Sequence, residues 1–332
     1  MSAYLQQTLD DFSSLEILRY HRPLLVCENW FDWSSTEQPI EVVRFSSFTS
    51  NPCHEDAMKG VSVLRENQCD VIVAIGGGST IDTAKAIKYY SDLDLPLVAV
   101  PTTAGTGSEA THFAVIYHNG IKLSLADDRL LPNYVILNAR LLNTLPLYQR
   151  KCTMLDALCQ AIESWWSKKS NEQSKAYSKA AISLILRYYK DYLCNKEEGN
   201  INMLRAANLA GKAINITTTT APHAMSYMLS TLYLIPHGHA VAICLPEVWR
   251  EMGGFDEIAV MLGASDYIDA TAWFESLLTD LDVLPPKGAT LEQIERLTES
   301  VNLQRLGNNP IEFDRATIKR IYMRILAPNL GS

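Results

Sequence analysis

Asp156 and Gln160 stand four residues apart, a spacing that puts both side chains on one face of a helix. His223 follows Pro222 at the start of a helical pattern, and His237 sits within Ile235-Pro236-His237-Gly238-His239. Three of the seven histidines therefore fall within the 17 residues from 223 to 239. One carboxylate, one amide and two imidazoles can hold a divalent cation and leave a position for a substrate oxygen. Helix-end and pocket histidines bonded to backbone are the alternative, and spacing alone leaves both open.

A second group of residues suits phosphate. Ile75-Gly76-Gly77-Gly78-Ser79-Thr80-Ile81-Asp82 joins an apolar run to a helical pattern. Three glycines permit a backbone approach that a Cβ would block. The N–H groups and positive dipole end of a helix starting at Ser79 suit a pyrophosphate. The spacing is not G-x-G-x-x-G, so the ordinary dinucleotide fingerprint is absent, and a tight turn with Ser79 as N-cap competes. Val100-Pro101-Thr102-Thr103-Ala104-Gly105-Thr106-Gly107-Ser108-Glu109 shifts that balance. Capping accounts for one hydroxyl there, whereas Thr102, Thr103, Thr106 and Ser108 together can hydrogen-bond a ribose or a carboxamide. The two turns favour a nucleotide site at the carboxyl edge of a sheet.

These groups need elements to hold them. Pro23–Cys27, Glu41–Phe45, Asp70–Ile75 and Leu97–Val100 read as strands, with a trimmed connection between the first two. His54–Asn67 and Ser79–Tyr90 read as helices. Runs this apolar suit a parallel sheet covered on both faces, and the alternation points to a doubly wound α/β domain. Beyond residue 146 the strand rhythm stops. Leu155–Lys168, Asn171–Cys194, Asn202–Ile216, His239–Met252 and Ala270–Asp280 carry helical periodicity, and Pro222 fits the first turn of another helix. The expectation is an α/β dinucleotide-binding domain over 1–146 and an all-α metal- and substrate-binding domain over 147–332, with a cleft between them.

Composition narrows the class. The 332 residues are 47% hydrophobic and 20% charged, as in an ordinary globular protein. Lys and Arg number 29 against 37 Asp and Glu, a formal charge of −8, which argues against a dedicated nucleic-acid binder. No apolar run is long enough to span a membrane, and the N-terminus lacks the layout of a secretion signal. Seven cysteines without a C-x-x-C read as reduced thiols in a cytoplasmic protein.

The segments Gly76–Lys85, Pro101–Glu109, Asp156-Ala157-Leu158 and Pro236-His237-Gly238, in this order, resemble the iron-containing (group III) alcohol dehydrogenases from about Pro23 to Pro310. The resemblance implies the dehydroquinate synthase-like two-domain fold, NAD(P)H and a divalent metal, iron or zinc, that polarises a carbonyl oxygen. A homodimer is a family expectation. Carried over by position, the metal set is Asp156, Gln160, His223 and His237. Gln160 departs from the family's histidine, and an amide oxygen is a weaker ligand for iron or zinc. Tyr227 replaces a histidine that many relatives place in the proton path, and His239 is an extra histidine beside a ligand. Gly77, Gly78, Ser79 and Asp82 match the cofactor motif. Thr102, Thr103 and Thr106 would line the way to the nicotinamide, and Lys122 matches a lysine near the cofactor ribose. The proton would come through water, the ribose hydroxyls, His239 or Tyr227.

Gln160, Thr220–Tyr227 and Pro236–Ala240 together resemble a narrower group, the phosphonoacetaldehyde reductases, which make 2-hydroxyethylphosphonate in phosphonate biosynthesis. One feature of the residues themselves fits an anionic substrate. Asn208, Lys212 and Asn215 follow at steps of four and three on an otherwise small, apolar helix. A buried lysine needs a partner. That partner is a phosphonate on this reading; the alternatives are water or an acid such as Glu163. Glu28, closing the first strand, would accept bonds from ribose hydroxyls and repel a 2′-phosphate, which favours NADH. A general reductase of small aldehydes and a non-catalytic nucleotide-binding relative are the alternatives.

Overall fold

The structure, a computed structural model, describes residues 6–9, 21–33, 40–119 and 121–326. In chain order the first part holds β1 (Gln7–Leu9), β2 (Pro23–Cys27), β3 (Val43–Phe45), α1 (His54–Glu66), β4 (Val71–Gly76), α2 (Gly78–Ser91), β5 (Leu97–Pro101), β6 (Phe113–His118), β7 (Ile121–Ala126) and β8 (Tyr134–Ile136). Six strands form one parallel sheet in the order β1-β8-β5-β4-β2-β3, while β6 and β7 make a separate antiparallel pair. Every residue of β2, β4 and β5 is buried. Alternate residues explain why: Leu24, Val26, Ile72, Ala74, Leu97 and Ala99 pack into one core, and Leu25, Val71, Val73, Ile75, Val98 and Val100 into the other. A sheet covered on both faces has no polar side, so its strands read as continuous apolar runs. Gly76 pairs with Pro101 in register, so the two chemically suggestive turns leave the sheet side by side.

The second part holds α3 (Leu147–Trp166), α4 (Glu172–Leu193), α5 (Glu197–Thr217), α6 (Ala221–Tyr233), α7 (His237–Met252), α8 (Asp256–Met261), α9 (Tyr267–Asp280), α10 (Leu291–Ser300) and α11 (Arg315–Leu326). Contacts divide the chain into two compact units that meet at Leu145 and Pro146. α4 begins with a capping box: the Asn171 side chain accepts from the Ser174 amide, and the Ser174 hydroxyl accepts from the Asn171 amide. Pro222 lies in the first turn of α6.

Several details differ from the sequence reading. The expected second strand shortens to Val43–Phe45, and the connection before it lies partly at 34–39, outside the described residues. α2 begins one residue early: its N-cap is Gly77, so Ser79 is inside the first turn, where its hydroxyl donates to the Ser50 carbonyl. β1, the β6–β7 pair and β8 carry pairings that the apolar-run pattern did not reveal. All seven cysteines are free thiols. No helix among the described residues is long and apolar enough to cross a membrane.

Candidate active site

Two of the three glycines in the turn are required by the chain's own packing. A Cβ on Gly76 would lie 2.3 Å from the Thr80 hydroxyl, and one on Gly78 would lie 2.8 Å from the Thr106 hydroxyl, so packing alone excludes side chains there. Gly77 is different. Its φ of −75° and ψ of −174° are open to any residue. Its Cβ would meet nothing closer than Thr103 at 3.4 Å, an ordinary contact. No side chain caps the first turn of α2 and no acid lies in it, leaving its N–H groups and dipole to an anion. This fits a pyrophosphate lying against Gly77. Alanine at Gly77 is accordingly expected to leave folding stability within about 0.5 kcal/mol of wild type, yet raise the NADH dissociation constant at least ten-fold. Alanine at Gly78 is expected to lower stability as well as NADH affinity. Thermal unfolding and a fluorescence titration with NADH check both variants.

Behind that turn, side chains fix its shape. Asp82, expected on the cofactor, has both oxygens engaged by the chain: Oδ1 accepts from Ser108 Oγ at 2.5 Å and Oδ2 from the Val115 amide at 2.9 Å. It thus ties α2 to the threonine turn and to β6, a packing role beside the cofactor role expected of it. Lys85, fully buried, donates to the carbonyls of Ser108, Thr111 and Phe113 at 2.6, 2.7 and 2.8 Å. Burial pulls its pKa down to about 8, against the charges of Asp82 and Glu109. Three carbonyls matching three ammonium hydrogens favour the charged form. Thr103 and Thr106 face the glycines, Thr102 is buried and its amide binds the Gly76 carbonyl, and Lys122 lies on β7 close enough to favour ionised Asp82. Glu28 follows β2, and the Arg44 guanidinium donates to its carbonyl at 2.7 Å.

In the second unit, Asp156, His223 and His237 bring ligand atoms within 4.8 Å of one another. α3 supplies Asp156 and Gln160, both buried; α6 opens with His223 and α7 with His237. Gly238 makes the approach of α7 possible, since a Cβ there would lie 2.0 Å from the Cys152 carbonyl and 3.0 Å from Asp156 Cβ. The ring of His237 meets His223 edge-on at 5.2 Å and lies flat against Tyr227 at 5.7 Å, with planes 2° apart. His223 Nε2 is 3.3 Å from Asp156 Oδ1. Apart from that imidazole the buried oxygen has no hydrogen-bond partner, so it can turn to a cation. Burial would raise the Asp156 pKa, but His223, His237 and the Gln160 amide outweigh it and hold the carboxyl below its usual range. The donor set, two imidazoles and an ionised carboxylate beside an amide, fits a divalent metal.

Glu163 completes this centre and was missed as part of it. It is fully buried, and its Oε1 binds His223 Nδ1. Its Oε2 accepts from the Thr220 amide at 2.7 Å and the Thr220 hydroxyl at 2.8 Å. The signal was present: Asp156, Gln160 and Glu163 follow at i, i+4 and i+7, one helix face. Burial opposes charge on His223, but Glu163 and Asp156 outweigh it and bring its pKa up to about 9.

His239, expected as a proton carrier, is held by the chain at both ring nitrogens. Its Nε2 donates to the Leu284 carbonyl at 2.9 Å and its Nδ1 accepts from the Tyr148 hydroxyl at 2.8 Å. Burial lowers its pKa, so it stays neutral with both nitrogens engaged in packing. On α5, Asn208 is buried while Lys212 and Asn215 are half-buried. The end of that helix reaches the metal-bearing helix through Thr217, whose hydroxyl donates to Ser164 at 3.0 Å, next to Glu163.

A phosphate-ready βα turn and a buried two-histidine, one-carboxylate centre define a nucleotide-dependent, metal-requiring oxidoreductase. The chain belongs to the iron-containing alcohol dehydrogenase family: residues 18–139 match that family's description, and residues 151–326 match the C-terminal region of the Fe-containing alcohol dehydrogenases. It is similar to the 1,3-propanediol dehydrogenase of Klebsiella pneumoniae, 31% identical with 80% of this chain and 72% of that protein covered. The phosphonoacetaldehyde reductase of Streptomyces viridochromogenes is 29% identical, with 78% and 76% covered. The solved sulfoacetaldehyde reductase from Bifidobacterium kashiwanohense, in complex with NAD+, superposes with a TM-score of 0.86 at 26% identity, covering 96% of each chain. The chain is thus an enzyme of the NAD-dependent alcohol dehydrogenase class acting on CH–OH groups, with NAD(H) and a divalent metal as cofactors.

Proposed function

We propose that this enzyme reduces a short aldehyde with an anionic head group, phosphonoacetaldehyde foremost, to the alcohol, here 2-hydroxyethylphosphonate. The observation that carries the reading is the stripe of Asn208, Lys212 and Asn215 on α5, the helix whose end bonds Ser164 of α3, next to Glu163. A lysine and two amides are suitable donors for a phosphonate. Two of the relatives above act, by name, on aldehydes with anionic heads.

When bound, NAD(H) supplies the hydride and the metal supplies Lewis-acid polarisation of the carbonyl. The chain's own residues do the rest. The amides at Gly77, Gly78 and Ser79 hold the pyrophosphate, and Thr103 and Thr106 shape the adjoining wall. Asp156, Gln160, His223 and His237 hold the metal, with Glu163 fixing which nitrogen His223 presents. Tyr227, parallel to the His237 ring, would pass a proton to the product oxygen and take one back from solvent. Glu28 favours NADH over NADPH; equal efficiency with the two would overturn that preference.

The test is NADH oxidation with phosphonoacetaldehyde and with propanal. Lys212→Ala is expected to raise the Michaelis constant for phosphonoacetaldehyde by about 10–100-fold, the worth of one charge-assisted hydrogen bond, and to leave that for propanal unchanged. An unchanged constant for the phosphonate sinks the assignment. The 1,3-propanediol dehydrogenase relative supports a second reading, a reductase of short uncharged aldehydes. Equal turnover of propanal and phosphonoacetaldehyde by the wild type would favour it.

A further inference from the structure

His54, Glu55 and His118 belong to neither part of the site above, yet their ligand-capable atoms all lie within 4.8 Å of one another. His54 and Glu55 open α1, and His118 ends β6. Backbone fixes the juxtaposition: the Tyr117 amide donates to the Pro52 carbonyl at 2.7 Å, and Cys53 forms a parallel bridge with Tyr117. The two imidazoles meet edge-on with centroids 4.7 Å apart, and Tyr90 backs His54 at 4.8 Å. His118 Nδ1 lies 3.2 Å from Glu55 Oε1.

We propose that this cluster is a second divalent-cation site, a two-histidine, one-carboxylate centre suited to zinc. Imidazole nitrogen and carboxylate oxygen together match zinc, whereas magnesium and calcium favour all-oxygen sets. Tetrahedral zinc needs its ligand atoms roughly 3.3 Å apart. His54 and His118 are half-buried and Glu55 is exposed, so rotation about side-chain bonds closes the remaining gap, with water as the fourth ligand. The positive end of α1 opposes a cation, and Glu55 and Asp56 in its first turn offset that, although Asp56 also pairs with Lys59 at 2.8 Å.

An ion here ties the start of α1 to the β6–β7 pair. The same stretch of chain receives the Ser79 hydroxyl at the Ser50 carbonyl, and Lys122 sits opposite Tyr117 in the pair. The cation therefore braces the segment that holds both the phosphate turn and Lys122.

The test uses holoenzyme preloaded with iron, equilibrated with rising free Zn2+, with zinc and iron counted together. Wild type and the His21→Ala control are expected to take up one zinc per chain beyond any that replaces iron. His54→Ala and His118→Ala are expected to bind that zinc at least ten-fold more weakly. Zinc is also expected to raise the melting temperature of wild type and not that of the double variant. Equal zinc uptake by wild type and both variants at every concentration, or no zinc beyond that replacing iron, overturns the proposal.

Discussion

Asp156→Asn is expected to lower kcat by about a thousand-fold, the equivalent of roughly 4 kcal/mol of lost transition-state stabilisation, while NADH binding stays at the wild-type level. Asp156 is the one anionic ligand candidate in the centre; Gln160, His223 and His237 offer neutral donors when they bind a metal. Its buried Oδ1 has the His223 ring at 3.3 Å and no other hydrogen-bond partner. Asparagine keeps the shape and removes the charge, so a dication there would lie among neutral groups in a buried site, where unpaired charge is costly. Metal analysis should show loss of the bound ion together with the loss of turnover. Full metal content with wild-type turnover would remove Asp156 from the centre. Gln160→His should move the other way and tighten metal binding about ten-fold, since imidazole is the stronger ligand. Both effects are read on the same samples, by metal analysis and NADH oxidation.

How much of this was legible in the sequence follows from what each feature depends on. β2, β4 and β5 were readable because burial on both faces writes an unbroken apolar run. β1 and β8 were not, because three residues are too few to show a period; their place comes from pairing with each other and with β5. The β6–β7 pair left a signal that was passed over, the Asn119-Gly120 dipeptide between two runs of strand-forming residues, where Asn119 takes a φ of +50°. α10 also announced itself through Thr290 and Gln293, which form a capping box. At the site, helical spacing placed Asp156 and Gln160 on one face, but no local pattern could bring His223 and His237 to them. That required Gly238, whose missing side chain lets α7 approach Cys152. For Asp82 and His239 the sequence shows that a polar group is present, and only the structure shows which partners the chain gives it.

The turn between α5 and α6 explains why Glu163 deserves a variant of its own. Thr218 has a φ of +57° and a ψ of 178°, a region that a β-branched residue adopts only under constraint. Asn308 supplies part of that constraint, donating to the Thr217 carbonyl at 2.6 Å, the Thr218 hydroxyl at 3.0 Å and the Thr219 carbonyl at 3.2 Å. Glu163 supplies the rest through Thr220, whose hydroxyl also accepts from the Trp166 indole at 2.9 Å. Three residues past Thr220, that same carboxylate reaches the His223 ring, so one group sets both the start of α6 and the orientation of its imidazole. Glu163→Gln is expected to weaken metal binding by about 10–100-fold, as loss of an outer-shell partner usually does. An amide has one acceptor oxygen and one donor nitrogen, whereas the Thr220 amide, the Thr220 hydroxyl and His223 Nδ1–H all donate to the carboxylate. One orientation of glutamine turns its NH2 to His223 Nδ1–H, and His223 loses its fixed tautomer; the other turns it to the Thr220 amide. The check is metal affinity by competition with a chelator, together with activity at saturating metal. A weakened affinity that excess metal restores to near wild-type kcat identifies Glu163 as a positioning residue. Unchanged affinity would mean that Asp156 and the helix packing orient His223 without it.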